Sequence, residues 1–520
     1  MTVTLEQQAR EHKKGVLVNM HTIVRRACLA LLVGAFTIES AFAQTPDYER
    51  YMLLGFVESE TGAKLTVGEI DKHQEPLFGE DKPWEVRFDN VYASVVFDQG
   101  VYKCWYNPFT VDMRTTSTPE AERNPTDTDY MRKRPNDRGI SLLYATSADG
   151  LVWEKPDLNL LEFEGNTANN FVMHGPHGVG IFVDPHDADP KRRYKAFFSS
   201  FDFRGTKDMT IAYSPDGVNW SDWVNAATIE SPGDTHNNAF WDERTRRYMG
   251  YTRGRGGPQG RVVTFTESKD FLTWTKHTEV FAASEDPLEQ AHDMIVFPTG
   301  GIYIGLLGSM HFPEGATPDQ AVMDNVTQHV ELTWSPDGTT WHRIEPGTPF
   351  IPNGTSGPTP PEFGKMAHDF GVIFASAPVF LEDEVRIYYG ACDWYFFDCR
   401  KGFLGLATIK PDHWAGYEPA FDAPAEVNTV PVICRGSNLE VTADIEAGGS
   451  VKVTLLDAKG AVIAESEPMT ASGVDSGLSW MHDYNYDRCV GNETRIRFEI
   501  KGDAKVYSFA FGDQPPPRGW

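Results

Sequence analysis

Positive charge is what this sequence has least of. Its 520 residues carry 47 Lys and Arg against 74 Asp and Glu, a net charge of −27 with His neutral. Binding to a phosphate backbone needs a basic surface, so nucleic acid is not the expected partner. Strongly anionic polymers are disfavoured for the same reason. Long apolar runs are missing too. Beyond residue 43 nothing approaches the ~20 apolar residues of a membrane span, and no span is expected. Cysteine is sparse, with six residues, no Cys-x-x-Cys and no zinc spacing. Cys392 and Cys399 are placed to close a short loop, Cys434 and Cys489 to pair near the C-terminus, and Cys104 is left over for the core. No cofactor is expected from these patterns.

What is present begins with an export signal. Arg25 and Arg26 form a basic region, Ala27 to Ile38 is a short, mostly apolar run, and Ala41-Phe42-Ala43 before Gln44 is a small-x-small cleavage site. The distance of this signal from Met1 points to a start at Met20, and the arginine pair hints at twin-arginine export. The expected location is periplasmic or secreted, a compartment where disulfides are permitted. Removing residues 1–43 takes away five basic and three acidic residues and leaves a net charge of about −29.

Internal repetition gives the fold. Ser147-Ala-Asp-Gly-Leu-Val-Trp153, Ser214-Pro-Asp-Gly-Val-Asn-Trp220, Ser268-Lys-Asp-Phe-Leu-Thr-Trp274 and Ser335-Pro-Asp-Gly-Thr-Thr-Trp341 share one form, and Lys410-Pro-Asp-His-Trp414 is a degenerate fifth. Each reads as a turn in which Asp caps its own backbone and Gly takes the left-handed position. The Trp-to-Trp spacings of 67, 54, 67 and 73 suit propeller blades with variable loops. A second marker precedes the first: an apolar run ending in a turn, then an aromatic strand such as Tyr102-Lys-Cys-Trp-Tyr106 or Tyr194-Lys-Ala-Phe-Phe198. The expectation is an all-β chain, with a five-bladed β-propeller over 44–416 and a β-sandwich over 417–520. The second part rests on alternating runs such as Ser450 to Leu456 and Thr494 to Ile500.

Propeller geometry places the functional face where inner strands begin, opposite the Ser-x-Asp-Gly turns. Counting eight or nine residues back from the turn that ends each inner strand gives Asp89-Asn90, Gly175-Pro176, Gly233-Asp234, Glu289-Gln290 and Ile373-Phe374. Three blades thus send a carboxylate toward the axis. Asp89, Asp234, Glu289 and Asp293 are the candidate catalytic residues, since paired carboxyls perform acid–base work on glycosidic bonds. Asn90, His174, His236, Asn237, Arg253, Asp286, His292, His368 and Asp369 are candidates to hold sugar hydroxyls, with Glu85 and His177 nearby. An axial calcium is compatible with converging acids, although no ligand spacing marks one.

The five-blade order, inner-face carboxylates and trailing sandwich resemble the invertase, levansucrase and arabinanase group of glycosidases. The runs Pro83-Trp-Glu-Val-Arg-Phe-Asp-Asn90, Asp234-Thr-His-Asn and Val385-Arg-Ile-Tyr-Tyr-Gly390 look like those of secreted bacterial proteins labelled invertase-like. The likeness spans roughly residues 50–515. It implies an Asp in blade one, an Asp in blade two and a Glu in blade three. Asp89 matches the first, whereas blade two offers His174 and blade three offers Asp234. The expected function is therefore hydrolysis of a poly- or oligosaccharide. The alternatives are a non-catalytic carbohydrate-binding propeller, or a sialidase-like hydrolase whose Asp-box would be one residue longer than these turns.

Overall fold

The computed structural model describes residues 48–512 except 89, 124–137, 202–206, 256–259, 317–324, 397–398, 437 and 483–488. The segment expected from sequence to be an export signal, with its cleavage site, lies outside the described residues, and no described helix is long and apolar enough to cross a membrane.

The chain is nearly all β, and each repeat unit forms antiparallel strands in sequence order. The first sheet contains Ser94–Asp98, Val101–Tyr106, Arg138–Ser147 and Phe171–His174, and the second Pro176–Val183, Tyr194–Phe201, Lys207–Ser214 and Val224–Asn225. The third runs Asn238–Asp242, Arg247–Arg255, Arg261–Ser268 and Thr278–Phe281; the fourth runs Glu289–Thr299, Ile302–His311, Thr327–Ser335 and His342–Arg343. In the fifth unit Val372–Ala375 and Val379–Phe380 pair with Val385–Cys392, which pairs with Gly402–Ile409. Its outer edge comes from far upstream, where Asp71–Lys72 and Phe78–Gly79 pair with Gly402–Ile409. A single parallel bridge, Gln328 to Val372, joins the fourth and fifth units.

The Ser-x-Asp-Gly turns have the physics their sequence implies. Oδ1 of Asp149, Asp216, Asp270 and Asp337 each accepts the backbone N–H groups two and three residues on, at 2.7–2.9 Å. These donors hold the Asp149 and Asp337 carboxyls at about 2. Gly150, Gly217 and Gly338 take φ of 76°, 84° and 81°. Phe271, in the glycine position of the third turn, adopts φ 63° all the same and is buried against Phe182, Tyr248 and Trp274.

Neighbouring units are latched through these turns. Trp105 of the first unit donates to Gly217 O of the second at 2.6 Å, and Tyr251 of the third to Gly338 O of the fourth at 2.9 Å. Tyr388 of the fifth donates to Gly150 O of the first at 3.0 Å. Tyrosines that open the second strands reach the preceding unit's turn: Tyr194 bonds to Asp98, and Tyr248 to Asp184 at 2.6 Å.

The remaining strands form two six-stranded sheets, and these draw on both ends of the chain. Tyr48–Met52 pairs with Ala504–Gly512, Ala63–Val67 with Ala415–Pro419, and Val57–Thr61 with Ala425–Thr429. Residues 48–67, grouped with the repeats on sequence, therefore pair with strands that follow residue 415. Glu493–Lys501 alternates inward and outward along its length. One apolar cluster contains residues of both sheets, with Val427, Val453 and Phe498 from one and Tyr51, Val441 and Phe509 from the other. The degenerate fifth turn ties this part to the rest, because Asp412 binds Arg50 and accepts from Ser508 Oγ at 2.8 Å.

The five described cysteines are buried thiols, so neither disulfide envisaged from spacing is present among the described residues. The Cys434 thiol is hydrogen-bonded with Cys489, and that contact together with burial raises its pKa.

Candidate active site

All five units meet at Tyr92, in the segment leading into the first sheet. Its ring lies 5.5 Å from His177 of the second unit, 5.4 Å from His236 of the third, 6.4 Å from His292 of the fourth and 5.3 Å from Phe374 of the fifth. The backbone is irregular where these side chains are delivered. Val91 and Tyr92 have φ of 62° and 41°, and the pairing slips by a bulge between His177 and Gly180 and again between Ala291 and Asp293. A β-branched residue at positive φ is strained, and bulges re-aim a side chain out of its pleat. Gly178 has φ 60°, and a Cβ there would stand 1.6 Å from Thr235 O. That glycine lets the second unit's entry close against the third's.

These irregularities explain where the sequence count went astray. In the first, third and fourth units the residue at the centre lies two or three positions beyond the pair counted from the turn: Tyr92, His236 and His292. The centre is a ring of imidazoles and aromatic rings. Calcium prefers oxygen ligands, so this ring does not fit the axial calcium considered from sequence.

Asp234 borders this ring. Its Oδ2 takes an ion pair from Arg253 at 2.8 Å, its Oδ1 lies 3.8 Å from His177 Nε2, and its side chain is 37% exposed. Asp293 is its opposite, with a side chain only 1% exposed. Oδ1 of Asp293 lies 3.0 Å from His292 Nδ1 and accepts from Gln328 Nε2 at 3.1 Å. Burial pushes the Asp293 carboxyl up to about 7, against the pull of Gln328 and the Arg253 charge. The same burial lowers His292 well below the ordinary histidine value and holds His236 at about 4, so both rings are neutral. His236 donates through Nδ1 to Ala375 O at 3.2 Å. Asn90 is buried beside the ring, donating to Tyr92 OH at 2.5 Å and accepting from Arg400 at 2.8 Å. Asp89 lies outside the described residues.

Other candidates stand elsewhere. Glu289 is held by Arg343 and by Ser309 Oγ in a cluster on the fourth sheet. Asn237 is fully buried, and its amide is spent on Gly178 O, Gly233 O, Thr235 O and the Thr252 hydroxyl. Asp286 is exposed and caps Leu288 N. His174 is exposed, 3.2 Å from Ser141 Oγ. His368 and Asp369 line a separate polar cavity of about 550 Å³ with Lys72, His73 and Asn353, where Lys72 and Tyr389 OH hold the Asp369 carboxylate. Glu85 is spent on Lys155 and Tyr106. Sequence reasoning missed Tyr92, Gln328 and Arg400. His177, noted from sequence only as a nearby polar residue, stands at the ring itself.

No protein-family model matches the chain, and no curated protein matches it in sequence. Among solved structures, it is similar to an N-acetylgalactosamine deacetylase from F. plautii in complex with blood group B trisaccharide, at 14% identity and TM-score 0.42, over 68% of this chain and 97% of that one. It is similar to the beta-1,2-mannobiose phosphorylase of Listeria innocua at 14% identity and TM-score 0.44, over 66% and 96% of the two chains. A fructofuranosidase from Schwanniomyces occidentalis complexed with fructosylnystose matches at 11% identity and TM-score 0.39, over 84% of this chain and 96% of its own.

Proposed function

We propose that this protein is an exported glycoside hydrolase acting on a neutral poly- or oligosaccharide. In this reading the five units are the blades of a propeller closed by the Asp71–Gly79 segment, and the two C-terminal sheets are a β-sandwich behind it. One observation carries the proposal: two carboxyls in unlike environments border the point where the five units meet. Asp234 reaches solvent and is ion-paired to Arg253. Asp293 is buried and pushed up to about 7. Environments that separate two carboxyls in this way divide acid from base duty at neutral pH. Asp234 acts at the sugar as the carboxylate, with Arg253 and His177 holding hydroxyls beside it. Asp293 stores the proton, with His292 against it. Asp89, three residues before Tyr92 in the sequence, is the second reacting carboxyl in this reading. Glu289 has no part in this reading, because Arg343 occupies it.

The test is a panel of neutral polysaccharides and their oligosaccharides offered to the purified chain, with Asp234→Asn and Asp89→Asn as comparisons. Turnover of one glycan, reduced about 100-fold or more in Asp234→Asn, is the expected result. Glycan binding without turnover would replace hydrolysis with the carbohydrate-binding reading. Equal rates in wild type and Asp234→Asn would remove Asp234 from the mechanism.

A further inference from the structure

On the fourth sheet, His311 ends the strand Ile302–His311, and His329 and Glu331 lie two apart on its neighbour Thr327–Ser335. Ser309 pairs with His329 and His311 with Thr327, so the two histidines are diagonal neighbours. Their Nε2 atoms are 3.3 Å apart, and His329 Nε2 is 3.1 Å and His311 Nε2 4.0 Å from Glu331 Oε1. These ligand atoms all fall within 4.8 Å of one another.

Proton counting makes this triangle unusual. A ring nitrogen carries either a proton or a lone pair. If His329 Nε2 donates to Glu331, it offers His311 no acceptor. If it accepts from His311, it faces the carboxylate lone pair to lone pair. The remaining tautomer must share one bent His329 N–H between Glu331 Oε1 and the His311 lone pair, whereas one cation accepts all three lone pairs. The dimensions agree. Metal–ligand distances of about 2.0–2.1 Å in a tetrahedron place ligand atoms about 3.3 Å apart. Two edges already match, and a small rotation of His311, whose side chain is 32% exposed, shortens the third.

The surroundings are built as a second layer. Arg343 and the Gly347 N–H occupy Oε2 of Glu331, which leaves Oε1 turned to the histidines. Glu331 is fully buried, and Glu289 supplies a second carboxylate against the single Arg343 charge. Between the two carboxylates and the guanidinium this leaves one net negative charge to receive a cation.

We infer that His311, His329 and Glu331 form a binding site for a divalent borderline metal of the zinc class, with its fourth position open to solvent beside His311. Two imidazoles and one carboxylate select zinc or cobalt over calcium and magnesium. The inference does not depend on glycoside hydrolysis. All three ligands come from one rigid sheet, and they are separated by seventeen residues and then one, a spacing that no short zinc motif describes.

The test uses the full chain after dialysis against EDTA, titrated with zinc chloride by calorimetry and with cobalt chloride by visible absorption. Wild type is expected to bind one equivalent of either metal, with tetrahedral d–d bands for cobalt and a raised Tm for zinc. His311→Ala with His329→Ala should abolish all three signals while leaving the far-UV circular dichroism unchanged. Arg343→Met keeps every ligand and should weaken binding by about 10–100-fold. The proposal is overturned by the absence of zinc binding, by binding equally strong in the double variant, or by preference for calcium over zinc.

Discussion

Gln328 donates from Nε2 to Asp293 Oδ1 at 3.1 Å and to Ile373 O at 2.9 Å, so one amide of the fourth sheet ties the buried carboxyl to the fifth unit. This bond favours the carboxylate, yet burial outweighs it and the Asp293 carboxyl sits at about 7. The folded protein therefore keeps a proton that the unfolded chain, at an ordinary value of about 3.9, has released. The stability Asp293 contributes is fully present below pH ~4 and is lost as pH rises through 7. Asp293→Asn is expected to flatten that slope by roughly 2–4 kcal/mol, read from urea midpoints across the range. Superimposable profiles for variant and wild type would mean the carboxyl is ionised inside the fold.

His236 works in the other direction. Burial holds it at about 4, below the ordinary 6.5. Here it is the unfolded chain that binds the extra proton, so the stability is present above pH ~6.5 and is lost as pH falls toward 4. His236→Gln should lower stability at neutral pH and show a shallower acid limb. An acid limb unchanged in midpoint and steepness would place the proton uptake elsewhere.

The Tyr388 hydroxyl links the fifth unit to the first unit's turn through Gly150 O. Tyr388→Phe leaves that buried carbonyl short of a donor and should cost about 1–3 kcal/mol. Gly150→Ala is expected to cost more, because φ is 76° and the new Cβ would stand 2.4 Å from the Tyr388 hydroxyl. Thermal unfolding of the two variants gives the ranking, and a milder Gly150→Ala would mean that the turn relaxes freely.

Phe271 occupies a position where the other three turns carry glycine. Restoring glycine relieves left-handed strain of about 1–2 kcal/mol. It also empties a buried aromatic site, at about 3–5 kcal/mol. Phe271→Gly should therefore destabilise the protein even though it restores the repeat. A raised Tm would show that packing around Phe182 and Tyr248 contributes less than the strain.

Features encoded by adjacent residues were legible in the sequence. The Ser-x-Asp-Gly turns were readable because Asp149 and Asp337 are satisfied within three residues, a bond that the local pattern specifies. The centre was legible to within a few positions. Asp234 stands beside Arg253 and His177, a contact that the sequence did not specify, while Tyr92 and His292 lie beyond the counted residues, where Val91 at positive φ and the bulge before Asp293 break regular strand geometry. The pairing of residues 48–79 with strands more than 300 positions away left no trace, since Asp71–Lys72 and Phe78–Gly79 are too short to alternate. The His311, His329 and Glu331 triangle depends on cross-strand register, which spacing along the chain does not encode.

The outer edge of the fifth unit also sets a timetable for synthesis. Asp71–Gly79 is made early, but its partner Gly402–Ile409 follows more than 300 residues later. At about 5–20 residues per second the early segment waits roughly 15–70 s with its backbone groups unpaired. Tyr48–Met52 waits longer still for Ala504–Gly512. The nascent chain therefore cannot complete either end of the molecule until both are made, and for that interval its N-terminal strands are exposed edges open to pairing elsewhere.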